Sequence, residues 1–93
     1  MKREKDFEKF LFQEKTISSE KAVATRLVKA RKAEQVLSME LDDIVSNDNL
    51  MFDSLVDLKS KENPSHTPMQ NALRKYYKFV NGKEFPRLSS YKK

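Results

Sequence analysis

The stretch Thr67-Pro68-Met69-Gln70-Asn71-Ala72-Leu73-Arg74-Lys75-Tyr76-Tyr77-Lys78-Phe79-Val80-Asn81-Gly82 spells out a helix with both ends marked. A proline at the first helical position gives up an N–H that has no intrahelical partner there, and its fixed φ suits the helix. Thr67 before it and Gln70 three residues on have the form of a capping box, in which the threonine oxygen takes an orphan N–H. At the other end the chain's single glycine stands where a left-handed residue closes a helix. Between these marks Met69, Leu73, Tyr76 and Val80 recur at three and four, with Ala72 beside them, and define an inner face. Arg74, Lys75 and Lys78 fall toward the outer side. Tyr76 and Tyr77 are expected to divide, one ring inward and one outward, the outer ring covering a neighbour rather than touching a ligand.

Working back from Thr67, residues 62–67 read as the clearest loop. Before it, Asn47 or Asp48 is placed to cap a helix with Leu50, Met51, Leu55 and Leu58 as its apolar stripe and Asp53 and Asp57 outside. Residues 39–45 predict a short helix or turn that turns Leu41, Ile44 and Val45 inward. Met39, Met51 and Met69 read as core filler. Further back, Ser18 or Ser19 can cap a helix that runs to about Val36 or Leu37. Glu20 suits the positive end of its dipole, and Ile17 is placed like the outer half of a hydrophobic staple. Val23, Leu27, Ala30 and Leu37 fall in a narrow arc of this helix. Lys21, Arg26, Lys29 and Lys32 are assigned to the broad opposite side, and Arg31 lies outside the stripe. Phe7, Phe10 and Leu11, with Phe12 beside them, predict a first helix over roughly 4–14. Beyond Gly82, Phe85 and Leu88 are placed to pin the start of an irregular basic tail, whose residues 89–93 are expected to be mobile.

The expectation is therefore an all-α bundle of four to five short helices, one domain over residues 1–88. Composition agrees. One Gly and three Pro argue against a turn-rich all-β fold, and the absence of Cys excludes disulfides and thiolate metal sites. Charged residues make up 35% of the chain. Leu, Ile, Val and Phe still amount to about a quarter, above the roughly 20% below which such a chain stays disordered. No stretch approaches the ~20 apolar residues of a membrane span. The opening Met1-Lys2-Arg3-Glu4-Lys5-Asp6 begins no apolar signal region, so a cytoplasmic setting is the default expectation.

The net charge of +5 is unevenly spread. Residues 16–37 carry +3 and residues 65–93 carry +6, while residues 38–64 between them carry −5. A basic block is a candidate phosphate surface, because neutralising phosphates releases condensed counterions. The competing reading is a solvated charged face without a partner. On the helix after Ser19, only Glu20 and Glu34 interrupt the positive charge, which favours the phosphate reading. Catalytic signatures are missing: no phosphate loop, no HExxH, no Cys cluster. His66 is the lone histidine and reads as a solvated loop residue. Asp42-Asp43 reads as an acidic surface or cap, since sequence neighbours point to different helix faces. No enzyme activity, metal or cofactor is expected.

The order of elements carries a resemblance. A first helix ends in Phe10-Leu11-Phe12, the junction Glu14-Lys15-Thr16-Ile17-Ser18 follows, then a capped helix with an Arg/Lys-rich face, and last Asn71-Ala72-Leu73-Arg74-Lys75-Tyr76-Tyr77-Lys78-Phe79. Over nearly its whole length this resembles the SAM-like N-terminal, core-binding domain of tyrosine recombinases, the phage-integrase family. The chain departs from the pattern in lacking a Gly after Lys15, and no catalytic domain with the family's Arg, His, Arg and nucleophilic Tyr is expected within these residues. The resemblance implies a SAM-like bundle that clamps duplex DNA without cutting it.

The expected function is double-stranded DNA binding, mainly through phosphates. Helix two supplies Lys21, Arg26, Lys29 and Lys32. The last helix supplies Arg74, Lys75 and Lys78, and Lys83 and Arg87 follow in the tail. For these to act together the fold must bring both helices to one side and leave the acidic segment on another. The rival expectations are a protein-interaction module that uses the acidic middle, and a small mobile-element regulator or inhibitor. One-sided clustering of the cations favours DNA, whereas their dispersal with an exposed apolar patch favours a protein partner.

Overall fold

Five helices follow one another in the computed structural model: α1 (Glu4–Gln13), α2 (Glu20–Leu37), α3 (Leu41–Val45), α4 (Asp48–Lys61) and α5 (Pro68–Asn81). The structure describes every residue except Thr16, Ser18 and Lys93. No strand occurs among the described residues, so the all-α expectation holds, with five helices. No helix among them is long and apolar enough to cross a membrane.

α5 is the hub. It packs against each of the other four helices, most extensively against α2. Its sequence explains why. Met69, Ala72, Leu73, Tyr76 and Tyr77 are all buried. Neighbouring residues stand about 100° apart on a helix. The buried arc of α5 is wide enough to hold both tyrosines, which corrects the expectation that one ring points out. Each buried hydroxyl finds a carboxylate: Tyr76 Oη donates to Asp42 at 2.7 Å and Tyr77 Oη to Asp48 at 2.8 Å. The rings seed two aromatic clusters. Tyr76 and Phe79 pack on Phe7 of α1, with ring centroids 4.9 and 5.6 Å away. Tyr77 packs on Phe85 at 5.1 Å, edge to face, and Phe85 in turn on Tyr91. Tyr91 also stacks on Phe52 of α4 and donates to Asn49 at 2.7 Å. Phe85 and Leu88 thus pin the tail as expected, and the segment read as mobile from Ser89 has a seat at Tyr91.

Burial alone would raise the Asp42 carboxyl, but hydrogen bonds from Tyr76 and Arg3 outweigh it and hold Asp42 below its ordinary value. Asp42 therefore ties α1, α3 and α5 together and is neither a cap nor a free acidic surface.

Helix ends follow the sequence in part. Ser19 caps α2 by accepting from the Ala22 N–H, and Asn47 caps α4 by accepting from Leu50. Ser18, the other serine read as a cap for α2, lies outside the described residues. Gly82 closes α5 at φ 74°, where only glycine is unstrained. α2 ends on Ser38 at φ 55°, a left-handed serine held by N–H bonds from Ser38 to Gln35 and from Met39 to Glu34. Thr67 sits at the N-cap position of α5, but its side chain makes no cap bond. The cap is Glu62, whose carboxylate accepts from the N–H groups of Met69 at 2.8 Å and Gln70 at 3.0 Å. A carboxylate beats a hydroxyl here because the bonds are charge-assisted and face the positive end of the helix. Glu34 does the same for α3, accepting from Leu41 N–H at 3.1 Å.

Candidate nucleic-acid interface

Two cavities of about 340 and 400 Å³ lie along the seam between α2 and α5 and share Arg26 and Asn71 in their walls. They form one groove. The first part is lined by Arg26, Arg74, Lys75, Lys78, Arg87 and Glu84. The second carries Lys21, Lys29 and the loop residue His66, which is exposed.

The groove is basic because of how two helices are patterned. On α5 the arc holding Arg74 and Lys78 lies on the opposite side from the arc holding Leu73, Tyr76 and Tyr77. The tyrosines turn toward Asp42 and Asp48, and the cations toward α2. On α2, Arg26 shares the direction of Ala33 and Leu37, seven and eleven residues further on, and both of those are buried. The expectation that Arg26 belongs to the outer face with Lys32 is thereby corrected. Val23, Leu27, Ala30 and Leu37 alone define a narrow arc, and buried Ala33 widens it to include the direction of Arg26. Arg26 is half-buried in the seam, and burial pushes its guanidinium below its ordinary value. Among the described residues it has no carboxylate and no hydrogen-bond acceptor.

The other expected site residues divide. Lys21 and Lys29 line the groove and make no ion pair among the described residues. Lys32 is exposed one turn beyond Lys29 and is not part of the wall of either cavity. Arg74 lies in the groove wall and its Nη1 donates to the carbonyls of Phe85 at 3.0 Å and Pro86 at 3.3 Å. Burial lowers its guanidinium as well, against an opposing pull from Glu84. These bonds fold the tail back so that Arg87 reaches the same cavity. Lys75 and Lys78 are not open cations. Both donate to Glu14, at 2.7 and 3.1 Å, and Glu14 is held below its ordinary value by Lys75 first and Lys78 next, against burial. Lys83 is exposed and stands outside both cavity walls.

Four acids of the acidic segment are engaged elsewhere. Asp42 serves Arg3 and Tyr76, Asp48 serves Tyr77, Asp57 pairs with Lys61 at 2.9 Å, and Glu62 caps α5. No acid of residues 38–64 lines either cavity of the groove. Two arginines outside the groove are paired locally: Arg3 with Asp42, and Arg31 with Glu4 through two bonds of 2.7 and 2.6 Å. The remaining signal is apolar. Phe12 and Val28 are about half exposed and line a shallow cleft between α1 and α2. Sequence reasoning placed neither side chain on the surface. No protein-family model, curated protein or solved structure matches the chain.

Proposed function

We propose that the chain is a non-catalytic module that binds double-stranded DNA through phosphates seated along the α2–α5 groove. One observation carries the reading. Five cations without a bonded carboxylate, Lys21, Arg26, Lys29, Arg74 and Arg87, line a single groove, and Glu84 is the one carboxylate in the walls of its two cavities. Lys21, Arg26, Lys29, Arg74 and Arg87 would make the contacts. Lys75 and Lys78 would contribute less, because Glu14 already offsets them. Lys32 and Lys83 would serve as flanking charge. The resemblance to the core-binding domain of tyrosine recombinases agrees with a helical clamp of this kind. Phosphate contacts position a protein on duplex but do not read sequence, so the binding is expected to tolerate many sequences.

A second reading rests on Phe12 and Val28, whose exposure on the α1–α2 face suits a protein partner. The two readings use different surfaces and separate cleanly. In a fluorescence-anisotropy titration with mixed-sequence duplex, Lys21→Glu combined with Lys29→Glu is expected to weaken binding about tenfold or more. Asp53→Lys is expected to leave it within about twofold of the wild type or tighten it slightly. Loss of binding in neither variant, with wild-type binding present, would move the contact surface away from the groove.

A further inference from the structure

The inner half of the groove differs in kind from an open basic face. Arg26 is half-buried, has no protein acceptor among the described residues, and is flanked by a second half-buried arginine, Arg74. A guanidinium presents five donors and loses hydration when buried, so leaving it without an acceptor costs free energy. Proteins satisfy such groups with a carboxylate. Here the one carboxylate in the cavity wall, Glu84, makes no hydrogen bond to Arg26. Arg74 keeps one nitrogen on the Phe85 and Pro86 carbonyls, which fixes its plane and leaves Nε and Nη2 without a protein acceptor among the described residues. Arg87 completes the wall from the tail. The cavity of about 340 Å³ admits a group the size of a phosphate, and arginines from α2, α5 and the tail all line its wall. Forked donors of this type match tetrahedral oxyanions better than lysine ammoniums do.

We infer that the cavity between Arg26, Arg74 and Arg87 is a discrete seat for one phosphoryl group, able to bind a small phosphate on its own as well as a phosphate of a nucleic-acid strand. The inference deepens the duplex-binding reading, and it also stands if that reading fails, because the seat needs only an oxyanion. Two sources share the chemistry, a backbone phosphate and free phosphate, and the test distinguishes them.

The probe is inorganic phosphate, titrated at fixed ionic strength against chloride. It is followed by the Nε–Hε resonances of the arginines and by the thermal midpoint. The wild type is expected to show saturable shifts of the Arg26 and Arg74 signals. Phosphate also stabilises proteins generally by exclusion from their surface, so the midpoint is read as the difference between wild type and variant. Arg26→Met keeps the apolar stem and removes the charge. It is expected to lower phosphate affinity roughly tenfold or more, since a charge-assisted bond is lost. In chloride its midpoint is expected to stay level or rise, because an unpartnered buried cation has gone. Arg87→Met, at an exposed side chain, gives the same affinity test should Arg26→Met fold poorly. Lys59→Met, at an exposed lysine of α4 outside both cavity walls, is the control and should change phosphate affinity less than twofold.

Saturable phosphate binding that both arginine variants weaken upholds the seat. Equal responses in wild type and variants, or linear unsaturating shifts, overturn it. Competition then identifies the source. If phosphate displaces bound duplex, the seat holds a backbone phosphate. If phosphate saturates the seat and no duplex binds even at low salt, the seat takes free phosphate and only the duplex reading falls.

Discussion

Ser54 is buried in α4 and its hydroxyl has no hydrogen-bond partner among the described residues. A buried hydroxyl without a partner keeps its desolvation cost, and alanine is the better helix former. Ser54→Ala is therefore expected to stabilise the fold by up to about 1 kcal/mol, read as a higher urea midpoint at unchanged slope. Tyr77 gives the opposite lesson, a buried hydroxyl that is satisfied. Burial first and the Asp48 carboxylate second push it from its ordinary value near 10 to about 12. A phenol whose folded value is raised contributes stability that is complete below the unfolded value and fades as pH climbs to the folded one. The fold should lose stability between pH 10 and about 12 for this reason, and Tyr77→Phe should flatten that limb of the stability profile. An alkaline limb of equal steepness in Tyr77→Phe would assign the loss to other groups. At this scale the sequence was legible where a residue acts on near neighbours. Ser19 and Asn47 cap as their spacing says. Asp42 was not legible, since its partners Arg3 and Tyr76 lie 39 and 34 residues away.

The helices themselves were the most readable feature. α5 begins at Pro68 and ends at Gly82 because a missing N–H and a free φ are local properties that the sequence states outright. Its cap was misread for a physical reason. Thr67 has the right type at the right place, but Glu62, held at the last turn of α4, brings a charge to the same N–H groups. Only the folded loop makes that approach possible. Thr67→Ala is accordingly expected to change stability by less than about 0.5 kcal/mol, and Glu62→Ala to cost between about 1 and 2 kcal/mol, compared by chemical denaturation. A larger loss at Thr67 than at Glu62 would restore the capping box. The end of α2 was located but not explained, because Ser38 takes a left-handed conformation with neither Gly nor Asn to announce it. On the same helix the buried arc was drawn too narrow, which put Arg26 on the wrong face.

Across the whole molecule, α5 works as a divider. One side of it buries tyrosines against Asp42 and Asp48, and the other lines a basic groove with α2. Of the acidic middle, Asp42, Asp48, Asp57 and Glu62 take up bonds within the fold, and of the basic blocks Lys21, Arg26, Lys29, Arg74 and Arg87 line the groove. The blocks were legible, but which cations stay open was not: Lys75 and Lys78 are claimed by Glu14, more than 60 residues away in the chain. Five cations of the groove remain without a carboxylate bonded to them: Lys21, Arg26, Lys29, Arg74 and Arg87. Each phosphate neutralised on B-DNA contributes about −0.9 to the slope of log affinity against log salt. The most direct measurement is the affinity for a mixed-sequence duplex across a salt series. A linear fall with slope between about −3 and −5 is the predicted result. No binding at low salt, or binding whose slope is near zero, would contradict a phosphate-binding groove.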